Sequence, residues 1–212
     1  MANWTHHRAR LNGLEVHYVE QGHGPVVLLL HGFPHTWFSW RHQIGHLADA
    51  GYRVVAPDLR GMGQTSAPEP VEEYRVDRIT GDLCALLDHL GVATAVCSGL
   101  DFGMYAAYDL ALDHPERVRG LIGLQNPFHT ASDRPPLEVE RRRGRKRFSH
   151  VSYFVDEPDA AVADMNATRG RFSPRSSMLS PARSTSPRCG GFRRAPPIAR
   201  RCPSHLRSLG HG

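Results

Sequence analysis

The sequence predicts an α/β fold built around a doubly wound, mostly parallel β-sheet. Three observations predict it: short runs of consecutive apolar residues, segments of helical apolar spacing between these runs, and Gly or Pro at the ends of both. An apolar run without alternation is typical of a strand that is covered on both faces, as in parallel sheets. Regular alternation of such strands with helices indicates a sheet that has helices packed on both sides.

The first two strands are predicted before any helix. Residues 14–19 alternate apolar and polar side chains, and the turn signal Gly22-His23-Gly24-Pro25 follows them, so we expect an exposed strand that leads into a bend. Residues 26–30 are all apolar, which predicts a strand covered on both faces.

Two helix–strand units are predicted next. Apolar residues at helical spacing predict a helix over about 40–50 that ends at Gly51, and residues 52–56 then form a covered strand closed by Pro57-Asp58. A second helix is predicted to end at Gly91, before a short covered strand at 95–97. The apolar residues that predict this helix are Leu83, Leu86, Leu87 and Leu90.

The predicted sheet closes with a helix over 104–112, which stops before Pro115, and a fourth buried strand at 121–124. The texture then changes: residues 131–172 are polar, and from residue 173 onward Arg, Ser and Pro dominate without periodicity. Such a composition cannot bury enough apolar surface to offset its ordering entropy, so we expect residues 173–212 to be disordered.

The charge is divided between two unlike parts of the chain. The formal net charge is +5, yet ten Arg and no Asp or Glu follow Asp164, so the preceding body is mildly acidic and the tail strongly basic. This division argues against a single basic surface for an anionic partner.

The four Cys show no metal-ligand spacing, and we predict neither a metal nor a cofactor. The first ten residues lack an apolar signal-peptide run, so we expect a reducing, cytoplasmic location without a membrane anchor.

The segment Gly99-Leu100-Asp101-Phe102-Gly103 joins a predicted strand directly to a predicted helix. A sharp strand-to-helix turn needs small residues on both sides of a reactive side chain, which is the logic of a nucleophile elbow, here with Asp101 in the reactive position. Such a turn holds its side chain over the carboxyl end of the sheet and at the positive end of a helix. The alternative is that Asp101 only caps the helix.

A second motif, His31-Gly32-Phe33-Pro34, comes directly after the covered strand at 26–30. A loop in this place can donate one backbone N–H to an oxyanion hole, and the residue after the nucleophile, Phe102, can donate the other. The alternative is an ordinary Gly-Pro turn. Because two motifs fall at the ends of two predicted strands in the same chain order, we favour the elbow and oxyanion-hole interpretation.

These motifs resemble the epoxide-hydrolase branch of the α/β-hydrolase superfamily. The resemblance spans roughly residues 8–130 and continues weakly to about 172, and several separated motifs keep the family's order. It implies an α/β-hydrolase core over 1–130, incomplete at its C-terminal strands, the start of a helical cap over 131–172, and an unrelated tail over 173–212. The stretches that carry it are HGFPHTWFSW at 31–40, GYRVVAPDLRGMGQTSAP at 51–68, the elbow at 99–103, His114 to Val118, and Asn126-Pro127-Phe128.

The resemblance implies that Asp101 attacks an oxirane carbon and forms an alkyl-enzyme ester, which water then cleaves to a diol. The N–H groups of Phe33 and Phe102 would stabilise the oxyanion of the second step. The family's catalytic base is a late His oriented by an acid, and we assign none here, because His205 and His211 are the only late histidines and no acidic residue follows Asp164. Tyr153 is a candidate for the ring-opening cap tyrosine, although a packing role is the favoured interpretation.

Several alternatives remain open. The abrupt change near residue 173 leads us to expect a frameshifted or truncated gene product that is inactive or limited to one turnover.

A haloalkane dehalogenase uses the same Asp nucleophile, but such enzymes typically follow it with a halide-binding Trp, and Phe102 has no side-chain N–H. A non-enzymatic alternative is a basic tail that binds nucleic acid, yet the tail has no RGG runs or interleaved aromatic residues. We therefore expect a small-molecule partner, and we make no prediction for the oligomeric state.

Overall fold

The computed structural model describes residues 4–125, 138, 141–142 and 150–168. The chain divides into two compact units, residues 1–133 and 134–212. The described part of the first unit has six strands: β1 (Thr5–Leu11), β2 (Leu14–Gln21), β3 (Val26–Leu30), β4 (Arg53–Pro57), β5 (Ala95–Leu100) and β6 (Val118–Leu124). Its helices are α1 (Arg41–Asp49), α2 (Val76–His89) and α3 (Phe102–Asp113), with 3-10 turns at Trp37–Trp40, Val71–Tyr74 and Pro115–Arg117.

The strands form one sheet in the order β1-β2-β4-β3-β5-β6. β1, β2 and β4 pair antiparallel, whereas β4, β3, β5 and β6 pair parallel. The helices cover both faces, since the leucines of α2 pack in one core cluster and Ile44 of α1 packs in the other. The predicted doubly wound, mostly parallel sheet is therefore confirmed.

Helices α1 and α2 end in the same glycine-dependent way, as their sequences predict. At the end of α1, Gly51 has φ +89°, and Tyr52 N–H donates to the carbonyl of Leu47 over 3.1 Å. At the end of α2, Gly91 has φ +66°, and Val92 N–H donates to the carbonyl of Leu87 over 2.9 Å. A residue with positive φ lets the chain turn back and satisfy the last carbonyls of the helix.

The exposed strand predicted at 14–19 is wrong in its exposure, although the strand is there. Residues 16–19 of β2 are all buried, because β2 lies inside the sheet between β1 and β4 and has core packing on both faces. Val16 belongs to one core cluster and Val19 to the other. The polar residue in the alternation, His17, is buried against another polar side chain rather than facing water.

The ends of the sheet also differ from the prediction. No sequence signal predicts β1, because its alternate positions are largely His and Arg. It is a strand because it pairs along its whole length with β2. β6 was expected to be buried, but Leu121 is 38% exposed and Ile122 is 52% exposed. Among the described residues β6 pairs with β5 alone, so it is an edge strand, and apolar sequence by itself does not separate an edge strand from a central one.

The described part of the second unit contains α4 (His150–Asp156) and α5 (Pro158–Thr168). Two backbone hydrogen bonds join them, from Glu157 N–H to the carbonyl of Tyr153 and from Ala161 N–H to the carbonyl of Glu157. Among the helices that the structure describes, none has the length and apolarity that a bilayer crossing requires. The tail predicted to be disordered, 173–212, lies outside the described residues, as does most of 131–149.

Candidate active site

The two sequence motifs meet at one edge of the sheet. β3 and β5 are parallel neighbours with Leu30 opposite Gly99, so the loops that leave their carboxyl ends start side by side. His31-Gly32-Phe33-Pro34 follows β3, and Asp101 follows β5. This edge is where open α/β sheets bind their ligands.

Asp101 occupies a sharp turn between β5 and α3. Its backbone has φ 55° and ψ −120°, a conformation that costs a non-glycine residue about 1–3 kcal/mol. The two flanking glycines make the turn possible: a Cβ on Gly99 would lie 2.3 Å from the carbonyl oxygen of Gly103, and a Cβ on Gly103 would lie 2.3 Å from the carbonyl oxygen of Leu30. The backbone is strained at the one residue whose side chain the motif presents.

The carboxylate of Asp101 is not used to cap the helix. Asp101 is the N-cap residue of α3, yet its side chain makes no capping hydrogen bond. Instead its Oδ1 accepts a hydrogen bond from the backbone N–H of Phe33 over 3.0 Å, across a sequence separation of 68 residues. The carboxylate is therefore held by the loop that follows β3 and not by the helix that Asp101 precedes.

Gly32 allows this close approach. A Cβ on Gly32 would lie 2.3 Å from the Cβ of Asp101 and 2.6 Å from its Oδ1. The peptide bond between Phe33 and Pro34 is cis.

The rings of Phe33 and Phe102 meet edge to face with centroids 6.4 Å apart, and the Phe102 side chain is 54% exposed. The N–H of Phe102 belongs to the first turn of α3, where amides have no acceptor within the helix.

His31 is a structural residue of the loop. Its ring is fully buried, Nδ1–H donates to the carbonyl of Gly32 over 2.9 Å, and Nε2 accepts from the N–H of Leu59 over 2.9 Å. Burial is the largest influence on the imidazole and lowers its pKa. Because backbone groups occupy both ring nitrogens, His31 is not in a position to activate water.

A buried carboxylate beside this loop is a functional candidate that the sequence analysis missed. Asp58, directly after β4, is 2% exposed, and its Oδ1 accepts from the N–H of Trp37 over 2.9 Å. Its Oδ2 accepts from Nδ1–H of His17 over 2.7 Å and from the N–H of Gln64 over 3.0 Å. The available signal is an acidic residue directly after a covered strand, and by itself this position predicts only the close of that strand.

Tyr153 lies in the second unit, on α4. Its hydroxyl donates to Oδ2 of Asp164 on α5 over 2.7 Å, and this hydrogen bond raises the pKa of the phenol. Its ring is 6.3 Å from that of Phe154, centroid to centroid. Both contacts are within the second unit, and the proposed donor role of Tyr153 stays a prediction.

Neither a metal centre nor a histidine base is found in the described parts of the chain. Within residues 4–125, 138, 141–142 and 150–168, no group of three or more His, Cys, Asp or Glu residues is arranged to hold a metal ion. In the same ranges no histidine is hydrogen-bonded to the carboxylate of Asp101, which accepts there from the N–H of Phe33.

Comparison with known proteins identifies the fold family. Residues 25–164 match the family model described as the alpha/beta hydrolase fold. The chain is 43% identical over 162 residues to epoxide hydrolase A of Mycobacterium tuberculosis, which covers 76% of this chain and 50% of that protein. It is also 41% identical over 160 residues to bifunctional epoxide hydrolase 2 of Sus scrofa, covering 75% of this chain and 28% of that protein.

Solved structures give the same result. The crystal structure of epoxide hydrolase A from Mycobacterium thermoresistibile aligns with a TM-score of 0.75 and 40% identity, over 80% of this chain and 54% of that chain. An epoxide hydrolase from Vigna radiata aligns with a TM-score of 0.65 and 42% identity, over 68% of this chain and 47% of that chain. The chain thus spans about half or less of the length of these relatives. The resemblance that the motifs predicted is confirmed.

Proposed function

This chain belongs to the α/β-hydrolase fold family, and from that premise we propose that Asp101 is a nucleophile that opens an epoxide ring through a covalent ester. The observation that carries the proposal is the hydrogen bond from Phe33 N–H to Oδ1 of Asp101, at a residue that is held with φ 55°. A capping aspartate would turn its oxygens toward α3. This carboxylate turns to the loop after β3 instead. The relatives named epoxide hydrolases support an epoxide as the substrate class.

In the first step an oxygen of the Asp101 carboxylate attacks an oxirane carbon. One C–O bond forms between Asp101 and the substrate while the ring C–O bond breaks, and the electron pair of the broken bond goes to the epoxide oxygen. That oxygen takes up a proton from solvent water and becomes a hydroxyl, leaving a hydroxyalkyl ester on Asp101. The Phe33 N–H holds Oδ1, and among the described residues no hydrogen bond reaches the other oxygen, so we assign the attack to that oxygen.

In the second step water adds to the carbonyl carbon of the ester, and negative charge develops on the former carboxylate oxygen. The N–H of Phe33, together with the N–H of Phe102 at the start of α3, would stabilise this charge. Removing one such donor typically costs about 3–4 kcal/mol of transition-state stabilisation. Collapse of the intermediate would release the diol and restore the carboxylate.

We propose further that the polypeptide of 212 residues performs only the first of these steps efficiently. The second step needs a base to activate water, and the candidates after Asp164, His205 and His211, have no Asp or Glu near them in sequence to orient them. His31 is excluded from that role by its two backbone contacts. A long-lived ester on Asp101 is therefore the expected product.

Incubation with an aryl epoxide, followed by peptide mass analysis, tests the proposal. We expect an adduct of substrate mass on Asp101 that accumulates toward one equivalent and decays slowly, with no adduct in Asp101→Asn. The matched control is Asp113→Asn, which alters an exposed carboxylate on the same helix and should leave the adduct unchanged. A folded chain that stays unmodified at Asp101 would refute the nucleophile assignment.

A chloroalkane supplied in place of the epoxide separates the nearest rival. A dehalogenase would form the corresponding alkyl ester and release chloride, and Phe102, which follows the nucleophile, has no side-chain N–H to bind a halide. We expect no adduct from the chloroalkane under conditions that modify Asp101 with the epoxide.

A further inference from the structure

We infer that Asp58 is a positioning residue for the oxyanion-hole donor of Phe33. We call residues 31–37 the donor loop, because they carry the Phe33 N–H that contacts Asp101. Among the described residues no hydrogen bond joins Asp58 to Asp101, so Asp58 acts through this loop. The inference rests on the proposed function, in which Phe33 N–H holds the nucleophile.

The carboxylate of Asp58 fixes the C-terminal end of the donor loop. Trp37 N–H donates to its Oδ1 over 2.9 Å, at the point where the loop enters the 3-10 turn Trp37–Trp40. The carboxylate is 2% exposed, so water does not compete for this oxygen. A hydrogen bond to a buried charged acceptor is shorter and stronger than a neutral one.

The residue after Asp58 fixes the other end of the same loop. Leu59 N–H donates to Nε2 of His31 over 2.9 Å, and Nδ1–H of His31 donates to the carbonyl of Gly32 over 2.9 Å. Two consecutive residues after β4 therefore hold the loop on both sides of Phe33. The Phe33 N–H lies between these two attachments, within a turn that is closed by His35 N–H donating to the carbonyl of Gly32 over 2.8 Å.

Three donors converge on the Asp58 carboxylate, which explains why an acid is needed there. Oδ2 accepts from Nδ1–H of His17 and from Gln64 N–H, in addition to the Trp37 contact on Oδ1. A carboxylate offers acceptors on both oxygens, whereas an amide must turn an NH₂ group toward at least one of these donors. Asparagine at position 58 would thus leave a buried donor unsatisfied and loosen the loop.

His17 supports the carboxylate from β2. Its ring is 1% exposed, and its Nε2 lies 2.9 Å from Nδ1 of His6 on β1. Since a carboxylate accepts and does not donate, the proton between His17 and Asp58 belongs to Nδ1 of His17. A residue of the interior strand β2 thereby helps to place the Phe33 N–H, which lies in the loop after β3.

The test compares Asp58→Asn with Asp82→Asn. Asp82, on α2, is a matched control because it is also a buried carboxylate. It accepts from Nε of Arg60 over 2.8 Å, and among the described residues no hydrogen bond joins it to the donor loop. Two readouts are taken on the full chain: hydrogen exchange of the backbone amides of Phe33 and Trp37, and the rate of Asp101 alkylation as a function of epoxide concentration. Folding of each variant is verified by circular dichroism.

We expect Asp58→Asn to speed amide exchange at Phe33 and Trp37 and to slow maximal alkylation about 10-fold to 100-fold, as a donor misplaced by 1 Å would. The half-saturating epoxide concentration should change little, because Phe33 N–H contacts the nucleophile rather than the substrate. Asp82→Asn should leave both readouts near those of the unaltered chain. Equal effects of the two substitutions, or none from Asp58→Asn, would overturn the inference.

A second pair of variants tests the inference in the case that Asp58→Asn does not fold. His17→Asn places an amide N–H where Nδ1–H lies, whereas His17→Leu removes that donor at similar volume. Slow alkylation in His17→Leu, with rescue in His17→Asn, supports positioning; equal rates in the two variants contradict it. If the unaltered, folded chain is not alkylated, the proposed function fails instead, and the amide-exchange comparison still decides whether Asp58 holds the loop.

Discussion

Substitution of Gly32 by alanine should separate the donor loop from the nucleophile. The added Cβ would lie 2.3 Å from the Cβ of Asp101, whereas two carbons in contact stay at least about 3.5 Å apart, so the loop must retreat by roughly 1 Å. A retreat of that size lengthens the hydrogen bond from Phe33 N–H to Oδ1 beyond its useful range, starting from 3.0 Å. We expect alkylation of Asp101 by an aryl epoxide to slow about 100-fold.

Single-turnover mass analysis of the Asp101 peptide measures this rate, and thermal unfolding verifies the fold. Gly45→Ala is the matched control: it adds the same methyl group on α1, where nothing lies within 4 Å, and should stabilise the helix by up to about 1 kcal/mol without changing the rate. A folded Gly32→Ala variant that is alkylated as fast as Gly45→Ala would refute the reasoning, because the contact between Gly32 and Asp101 would then not govern the donor.

Three further predictions concern stability and reactivity. Asp101→Gly and Asp101→Ala both remove the carboxylate, but only glycine adopts φ 55° without strain. Chemical denaturation should therefore give Asp101→Gly a free energy of unfolding about 1 kcal/mol higher than that of Asp101→Ala. Equal values would argue against strain at the elbow. Burial lowers the pKa of His31 from 6.5, so as the pH falls below 6.5 the unfolded chain binds the proton before the folded chain does. The free energy of unfolding should therefore drop in this range by at most about 1.4 kcal/mol per pH unit. His31→Asn should flatten the plot of urea midpoint against pH, and an unchanged slope would contradict this. Burial raises the pKa of the Cys97 thiol to about 12, so iodoacetamide at pH 8 should label Cys97 only after unfolding, and rapid labelling of the native chain, mapped by peptide mass, would disprove its burial.

Much of the fold could be predicted because its signals are local. The covered strand β3, the glycine ends of α1 and α2, and the direct junction of β5 with α3 each depend on a few neighbouring residues. The two motif loops follow from the same logic, since a motif that comes directly after a strand of a parallel sheet must lie at the sheet's carboxyl edge. The burial of β2 and the exposure of β6 could not be predicted, because they depend on which strands lie beside each one.

The sequence by itself determined the order of the elements, the family resemblance and the identity of Asp101 as the residue that the turn presents. The tertiary structure decided what the site's polar groups touch: Phe33 meets Asp101 across 68 residues, Asp58 meets Trp37 across 21, and His17 meets Asp58 across 41. Propensity and periodicity act over one or two turns of chain, whereas these hydrogen bonds form because strands distant in sequence are neighbours in the sheet. A buried aspartate after a strand is visible in the sequence, but its partners exist only once β2, β3 and β4 lie side by side.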